Sequence, residues 1–417
     1  MRKREEIEPK GALTGIRIID LTQMMAGSYG TMLLADHGAD VIKIESPEGD
    51  MVRPVGPYRK DDTEKLLGGF FQSLNRNKRS VVLDLKKPEG RAALLKLIVG
   101  ADAVVENFRA GVMERLGLSY ETLQEMNPRL VYGALRGFGD RRSGASPYSD
   151  WPAFDVIAQA MGGIMSITGP DAETPTKVGP GVGDIVPGMM LGFGVLAAIH
   201  HARQTGEGQF VDVAMIDGVL AMCERIVYQY SVTGEAPRPE GDQHPFIVPF
   251  GNYPAADGFV ALAAHQQPFF ETLCKSLDAD DVIADSRFAT AESRMANRLA
   301  VIKAISHHTA RFTKAELMSR LGGRIPFGPV MDMADISNDP HFAARDMIVS
   351  VDQPGVEPIQ IAGVPIKMSK TPGAVRHRAP FLGEDTLEQL RRAGLGESEI
   401  QDLLGKCAAI AMANGGT

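Results

Sequence analysis

One carboxylate in this chain stands out by its surroundings. The stretch Lys177-Val178-Gly179-Pro180-Gly181-Val182-Gly183-Asp184-Ile185-Val186-Pro187-Gly188 sets Asp184 among glycines, just ahead of an apolar segment, Met189 to Gln204, that reads as a helix. Two chemistries suit such a place. Asp is among the best helix N-caps, because its oxygens accept the unpaired N–H groups of a first turn. A carboxylate is also a nucleophile toward an acyl thioester, provided the approach is open and backbone N–H groups hold the resulting oxyanion. A plain cap has no need of Gly179, Gly181, Gly183 and Gly188, so the glycines argue for the nucleophile, although from local sequence alone the cap is the commoner reading, because caps outnumber nucleophiles.

Other candidate chemistries are weaker. The pairs His200–His201 and His307–His308 are adjacent, whereas two zinc ligands on one helix face need a spacing of four. No metal is expected. Cys223, Cys274 and Cys407 are far apart and form no CxxC, which points away from a disulfide framework and toward the cytoplasm. A dinucleotide fingerprint needs a glycine that the loop Thr22 to Gly30 lacks, although Glu45 stands where the ribose-binding acid would. The run Asn75-Arg76-Asn77-Lys78-Arg79-Ser80 reads either as a solvated turn or as a phosphate contact. Glu106-Asn107-Phe108-Arg109 ends a buried strand, where open α/β sheets bind ligands.

The elements that must position these residues follow from the pattern. At 417 residues about two domains are expected. The net charge of −8, with both signs mixed, argues against nucleic acid. Met1 to Lys10 is charged and has no signal-peptide core, and the longest apolar run, Gly188 to Ile199, is shorter than the ~20 residues that span a bilayer. No membrane segment is expected. Ile16–Leu21, Gly27–His37 and Val41–Ile44 read as strand, helix and strand, a βαβ unit that requires a parallel sheet. Further strands are expected at Val81–Leu85, Ala103–Val105, Leu130–Leu135 and Gln209–Val213. Helices are expected at Pro88–Val99, Tyr120–Met126, Phe154–Met161 and Met215–Tyr230. The division is 11–230 for a large α/β domain, 231–254 for a linker, 255–345 for a smaller α+β domain, and 346–417 for a return segment.

Several motifs then stand together in order. They are Leu13 to Leu21, Gly38 to Glu45, Asn77-Lys78-Arg79-Ser80 with Leu83-Asp84, and Val105-Glu106-Asn107-Phe108. Gly183-Asp184, Thr205 to Gln209, Ile325 to Val330 and Ala379 to Glu384 follow. Over about Gly11 to Leu404 the chain resembles the family III CoA-transferases, the group of formyl-CoA transferase and carnitine CoA-transferase.

The resemblance implies a doubly wound, Rossmann-like large domain with a smaller α+β domain, in an interlocked homodimer. It implies Asp184 as nucleophile, with backbone N–H groups of Gly183 and its neighbours holding the oxyanions, and coenzyme A as co-substrate, with no permanently bound cofactor. CoA contacts carry over to Met25, Ala26, Ser46, Leu83, Asp84, Leu85, Lys86, Asn107, Phe108, Arg109, Arg115, Phe154 and Asp155. Met25, Ser46 and Pro152 depart from the formyl-CoA branch, which has Gln and two basic residues there. That branch's glycine-run loop is also missing. In its place stand Gln243 and His244, candidate substrate contacts. The implied reaction moves CoA from succinyl-CoA or a similar thioester to a small, dicarboxylic acid through an aspartyl-CoA thioester. Arg136, Arg141 and Arg142 are candidates to hold the acceptor's second carboxylate. The sister α-methylacyl-CoA racemases need a His where Phe154 stands, and Phe cannot move a proton. A non-catalytic CoA-binding paralogue is a third reading.

Overall fold

The computed structural model describes residues 10–412, so the charged start read above as lacking a targeting segment lies almost wholly outside it. The chain divides into two compact units. The first comprises 1–164, 178–228 and 341–417, and the second 165–177 and 229–340.

The first unit is built on a parallel sheet. Its strands are β1 (Arg17–Asp20), β2 (Asp40–Glu45), β3 (Arg79–Leu83), β4 (Ala103–Glu106), β5 (Val131–Arg136) and β6 (Phe210–Ala214), in the order β3-β2-β1-β4-β5-β6. β2, β3, β4 and β5 are buried along their whole length, as expected where both faces of a parallel sheet are covered. The order reverses between β1 and β4. That reversal opens a crevice at the strands' carboxyl ends, where Leu21–Met25 and Asn107–Ala110 emerge.

The second unit carries an antiparallel sheet of β7 (Phe250–Ala255), β8 (Gly258–Ala263) and β9 (Phe327–Pro329), with helices that bury Phe270, Leu273, Val301 and Leu317 against it. The segment expected to be a linker, 231–254, belongs to this unit and ends in β7. Back in the first unit, a hairpin of β10 (Ile348–Gln353) and β11 (Val356–Ala362) is followed by β12 (Ala409–Ile410). β12 closes the β3 edge antiparallel. Neither the hairpin nor β12 was legible in the sequence.

The helix carrying Asp184 is longer than its pattern suggested. It runs from Val182 to Thr205, so Asp184 lies in its first turn. Pro187 lies inside this helix, one turn past Asp184, and gives up the N–H that would bond the Gly183 carbonyl. Gly188 serves close packing. A Cβ there would collide with the Ala26 carbonyl oxygen, and one on Gly30 would collide with the Gly188 carbonyl. The helices Ala26–Asp36 and Val182–Thr205 therefore meet backbone to backbone. On the other side, Leu191 and Val195 lie over Gly133 of β5. At 24 residues this helix is long and apolar enough to cross a membrane by length and composition, a test that the core helix of a folded domain also passes. Its Leu191, Val195, Ala198 and Ile199 are buried within the first unit.

Candidate active site

Asp184 lines a cleft of about 370 Å³ in the first unit. The walls come from the turn after β1 (Gln23, Met24, Ala26), the loop after β4 (Asn107, Phe108, Arg109), the end of β5 (Leu135, Arg136), and the segment Ser149–Phe154. These are ends of different strands converging on the crevice that the strand order predicts.

The turn beside Asp184 is held from below. Asp155, at the start of the helix Asp155–Met161, accepts the Gly183 N–H at 2.9 Å. Gln159, one turn on, donates to both oxygens of Asp155, at 2.9 and 3.0 Å, and accepts the Val178 N–H at 2.9 Å. A Cβ on Gly183 would press on the Asp155 carbonyl oxygen at 2.7 Å, so this glycine also serves close packing. Its expected part as oxyanion donor is corrected, because its N–H is engaged by Asp155. The neighbouring amides are also used: Val182 donates to the Pro180 carbonyl, and Asp184 and Ile185 to that of Gly181. Burial, and then the negative charge of Asp155, push the Asp184 carboxyl up to about 7.

Another wall of the cleft is a strained turn. Met24 adopts φ +61°, unusual for a residue with a side chain. Three side chains fix it. That of Asn107 accepts the Gln23 N–H at 2.8 Å and donates to the Gln23 carbonyl at 2.7 Å. Asp50 accepts the Met24 N–H at 3.2 Å, and the Lys43 ammonium donates to the Thr22 carbonyl at 2.6 Å. Lys43 and Asp50 are themselves a fully buried ion pair at 2.7 Å.

The cations divide sharply. Arg136, on the cleft floor, is paired with Glu106 at 2.6 Å and with Asp140. Arg142 is paired with Glu114, Glu121 and Asp140, and Arg141 with Asp150. None of the three is a spare cation for an acceptor carboxylate, which corrects that expectation. Arg109 is exposed on the cleft wall, with no carboxylate bonded to it among the described residues.

Of the expected contacts, the cleft gathers Ala26, Asn107, Phe108, Arg109, Phe154 and Asp184. Met25 sits just behind, its sulfur 3.0 Å from where a Gly181 Cβ would stand. Ser46, Leu83, Asp84, Leu85, Lys86 and Arg115 lie outside its lining. Leu83 is fully buried in the sheet core, and Asp84 accepts the Lys86 N–H at 3.0 Å. The basic run is not a solvated turn or a phosphate contact. Arg76 pairs with Asp36, Lys78 with Asp20, and Arg79 with Asp40, all buried. Gln243 and His244 belong to the second unit. There Gln243 donates to the Asn252 carbonyl and His244 Nδ1 accepts the Phe246 N–H. Sequence reasoning missed Gln23, Met24, Trp151 and Gln159. The acidic and amide spacing Asp155-x-x-x-Gln159 was the available signal for the last.

The family described as CoA-transferase family III matches residues 13–386. The chain belongs to CoA-transferase family III. A succinyl-CoA:mesaconate CoA-transferase of Haloarcula hispanica is 50% identical over 387 residues, covering 93% of this chain and 97% of its own. A succinate–glutarate CoA-transferase of Agrobacterium fabrum is 37% identical over 385 residues, covering 91% and 95%. The crystal structure of a CAIB/BAIF family protein from Brucella suis aligns with a TM-score of 0.83 at 32% identity, over 92% of this chain and 100% of that one. The protein is thus a CoA-transferase whose co-substrate is coenzyme A.

Proposed function

We propose that this transferase moves CoA from succinyl-CoA to a small dicarboxylic acid, with Asp184 as the covalent nucleophile. The observation that carries the nucleophile is a half-buried carboxylate at the cleft wall, beside a second carboxylate, with no cation bonded to it among the described residues. Ionised Asp184 is poorly solvated there, and acylation removes its charge. The donor and acceptor classes rest on the named activities of the Haloarcula and Agrobacterium relatives.

The steps balance without a further reactant. Asp184 attacks the succinyl-CoA carbonyl, the C–S bond breaks, and CoA thiolate leaves behind a succinyl-aspartyl anhydride. The thiolate attacks the aspartyl carbonyl of the anhydride, releasing succinate and forming aspartyl-CoA. The acceptor carboxylate attacks that thioester, giving a second anhydride and thiolate. The thiolate takes the acceptor acyl group, and Asp184 is freed as a carboxylate. Arg109 offers a charged pair to phosphate or carboxylate at the mouth. The thiolate returns twice, so a cleft that retains it between steps is required.

A homodimer belongs to the same reading. On the Asp184 helix, Met189 and Phe193 are exposed, Phe193 by 77%, which suits cover by a second copy. A cytoplasmic setting is also part of it, supported by three free thiols.

The test is intact mass after mixing with succinyl-CoA. Wild type is expected to gain a CoA-sized or succinyl-sized adduct that hydroxylamine removes, and Asp184→Ala to gain none. An equal adduct on both proteins sinks the nucleophile assignment.

A further inference from the structure

Gln159 is completely buried, yet its carboxamide is fully committed within one small network. Its nitrogen faces the two oxygens of Asp155, and its oxygen faces the Val178 N–H. Only this orientation of the amide puts every donor opposite an acceptor, so the network fixes it. Asp155 in turn holds the Gly183 N–H. Gln159 thus ties down both ends of the turn Val178–Gly183 that delivers Asp184. One tie is direct and the other passes through Asp155.

We propose that Gln159 is a positioning residue for the acylation of Asp184, acting through the Asp155 carboxylate that it clamps. This rests on the reading of Asp184 as the acylated residue. The physical reason has two parts. Asp184 must reach the thioester carbonyl and later present its own carbonyl to the returning thiolate, so small displacements of its turn cost rate. The Asp155 charge must also stay beside Asp184, because relief of that repulsion on acylation favours the covalent state. Without the Gln159 N–H groups, Asp155 loses the two hydrogen bonds that set its oxygens against the Gly183 amide.

The decisive measurement is the rate of adduct formation from succinyl-CoA, by rapid quench and intact mass, in Gln159→Leu, Asp155→Ala and the double variant. Gln159→Leu is expected to slow acylation and kcat roughly 10- to 100-fold, with the donor KM moving by less than about threefold. In the Asp155→Ala background the same substitution is expected to have little further effect, since residues acting as a unit are not additive. Gln159→Glu keeps the shape and the acceptor for Val178 but sets an oxygen against Asp155. It decides the matter if the Leu variant does not fold, and the same loss of rate is expected. Acylation at the wild-type rate in a folded Gln159 variant overturns the inference. So do effects that multiply in the double variant, or a loss accounted for by unfolded protein. If Asp184→Ala still forms the adduct, the underlying nucleophile reading fails instead.

Discussion

Asp155 accepts the backbone N–H of Gly183 and thereby stands as a second carboxylate next to Asp184. Two like charges at the head of one helix are costly; the Gly183 N–H eases the charge of Asp155, while the Val182, Asp184 and Ile185 amides are bonded to backbone carbonyls. The arrangement favours any step that neutralises Asp184, and acylation is such a step.

The pH dependence follows from the burial of Asp184 and, second to it, from the charge of Asp155. Asp184 must be ionised to attack, and its carboxyl is raised to about 7, so the acylation rate should fall as pH drops through about 7. Asp155→Asn removes the raising charge and should move that limb to lower pH. A limb that stays in place in Asp155→Asn would show that burial alone sets it.

Stability should carry the opposite sign. The folded state holds the Asp184 proton more tightly than the unfolded chain, whose Asp titrates near 3.8. Wild type therefore loses stability as pH rises from about 4 through about 7. Asp184→Asn escapes that loss, so its advantage in chemical denaturation should grow over this window. Equal pH slopes for the two proteins would contradict the raised value.

Arg109→Ala should raise the succinyl-CoA KM roughly 10-fold with kcat little changed, as expected when one charge-assisted contact is lost equally from ground and transition states. Steady-state kinetics check this. A fall in kcat with KM unmoved would place Arg109 in the chemistry instead.

Gly188→Ala pushes a methyl group into the Ala26 carbonyl and forces two helices apart. Destabilisation of roughly 1–3 kcal/mol is expected, with a lower thermal midpoint and weaker catalysis, because both helices reach the cleft. Denaturant melts of the purified variant test it, and an unchanged midpoint would count against the close approach.

Lys78→Met removes the partner of Asp20 in a fully buried pair at 2.9 Å. About 3–5 kcal/mol of destabilisation is expected from the carboxylate left unpaired. Among molecules that do fold, CoA affinity should be unchanged, which separates a structural lysine from the phosphate contact the motif suggested.

Much of this was fixed locally, in residues that neighbour one another in the chain. The helices Pro88–Val99 and Tyr120–Met126 fall where Pro88, Ser119 and Asn127 set their ends, and the parallel strands follow from short apolar runs closed by glycine or polar residues. Asp184 was found because its glycines are sequence neighbours, although they proved to serve packing at least as much as access. Charge partners were not legible. Lys78 and Asp20 are 58 residues apart and Arg136 and Glu106 are 30 apart, so composition showed cations but not their neutralisation. The same holds for Gln159, whose value depends on Val178 and Gly183 folding back over it. Local propensity and hydrophobic period act between neighbours and can be read in order. Pairing of buried charges, backbone contact at Gly30 and Gly188, and the pressure of Asp155 on Asp184 arise only when distant segments are brought out of water together.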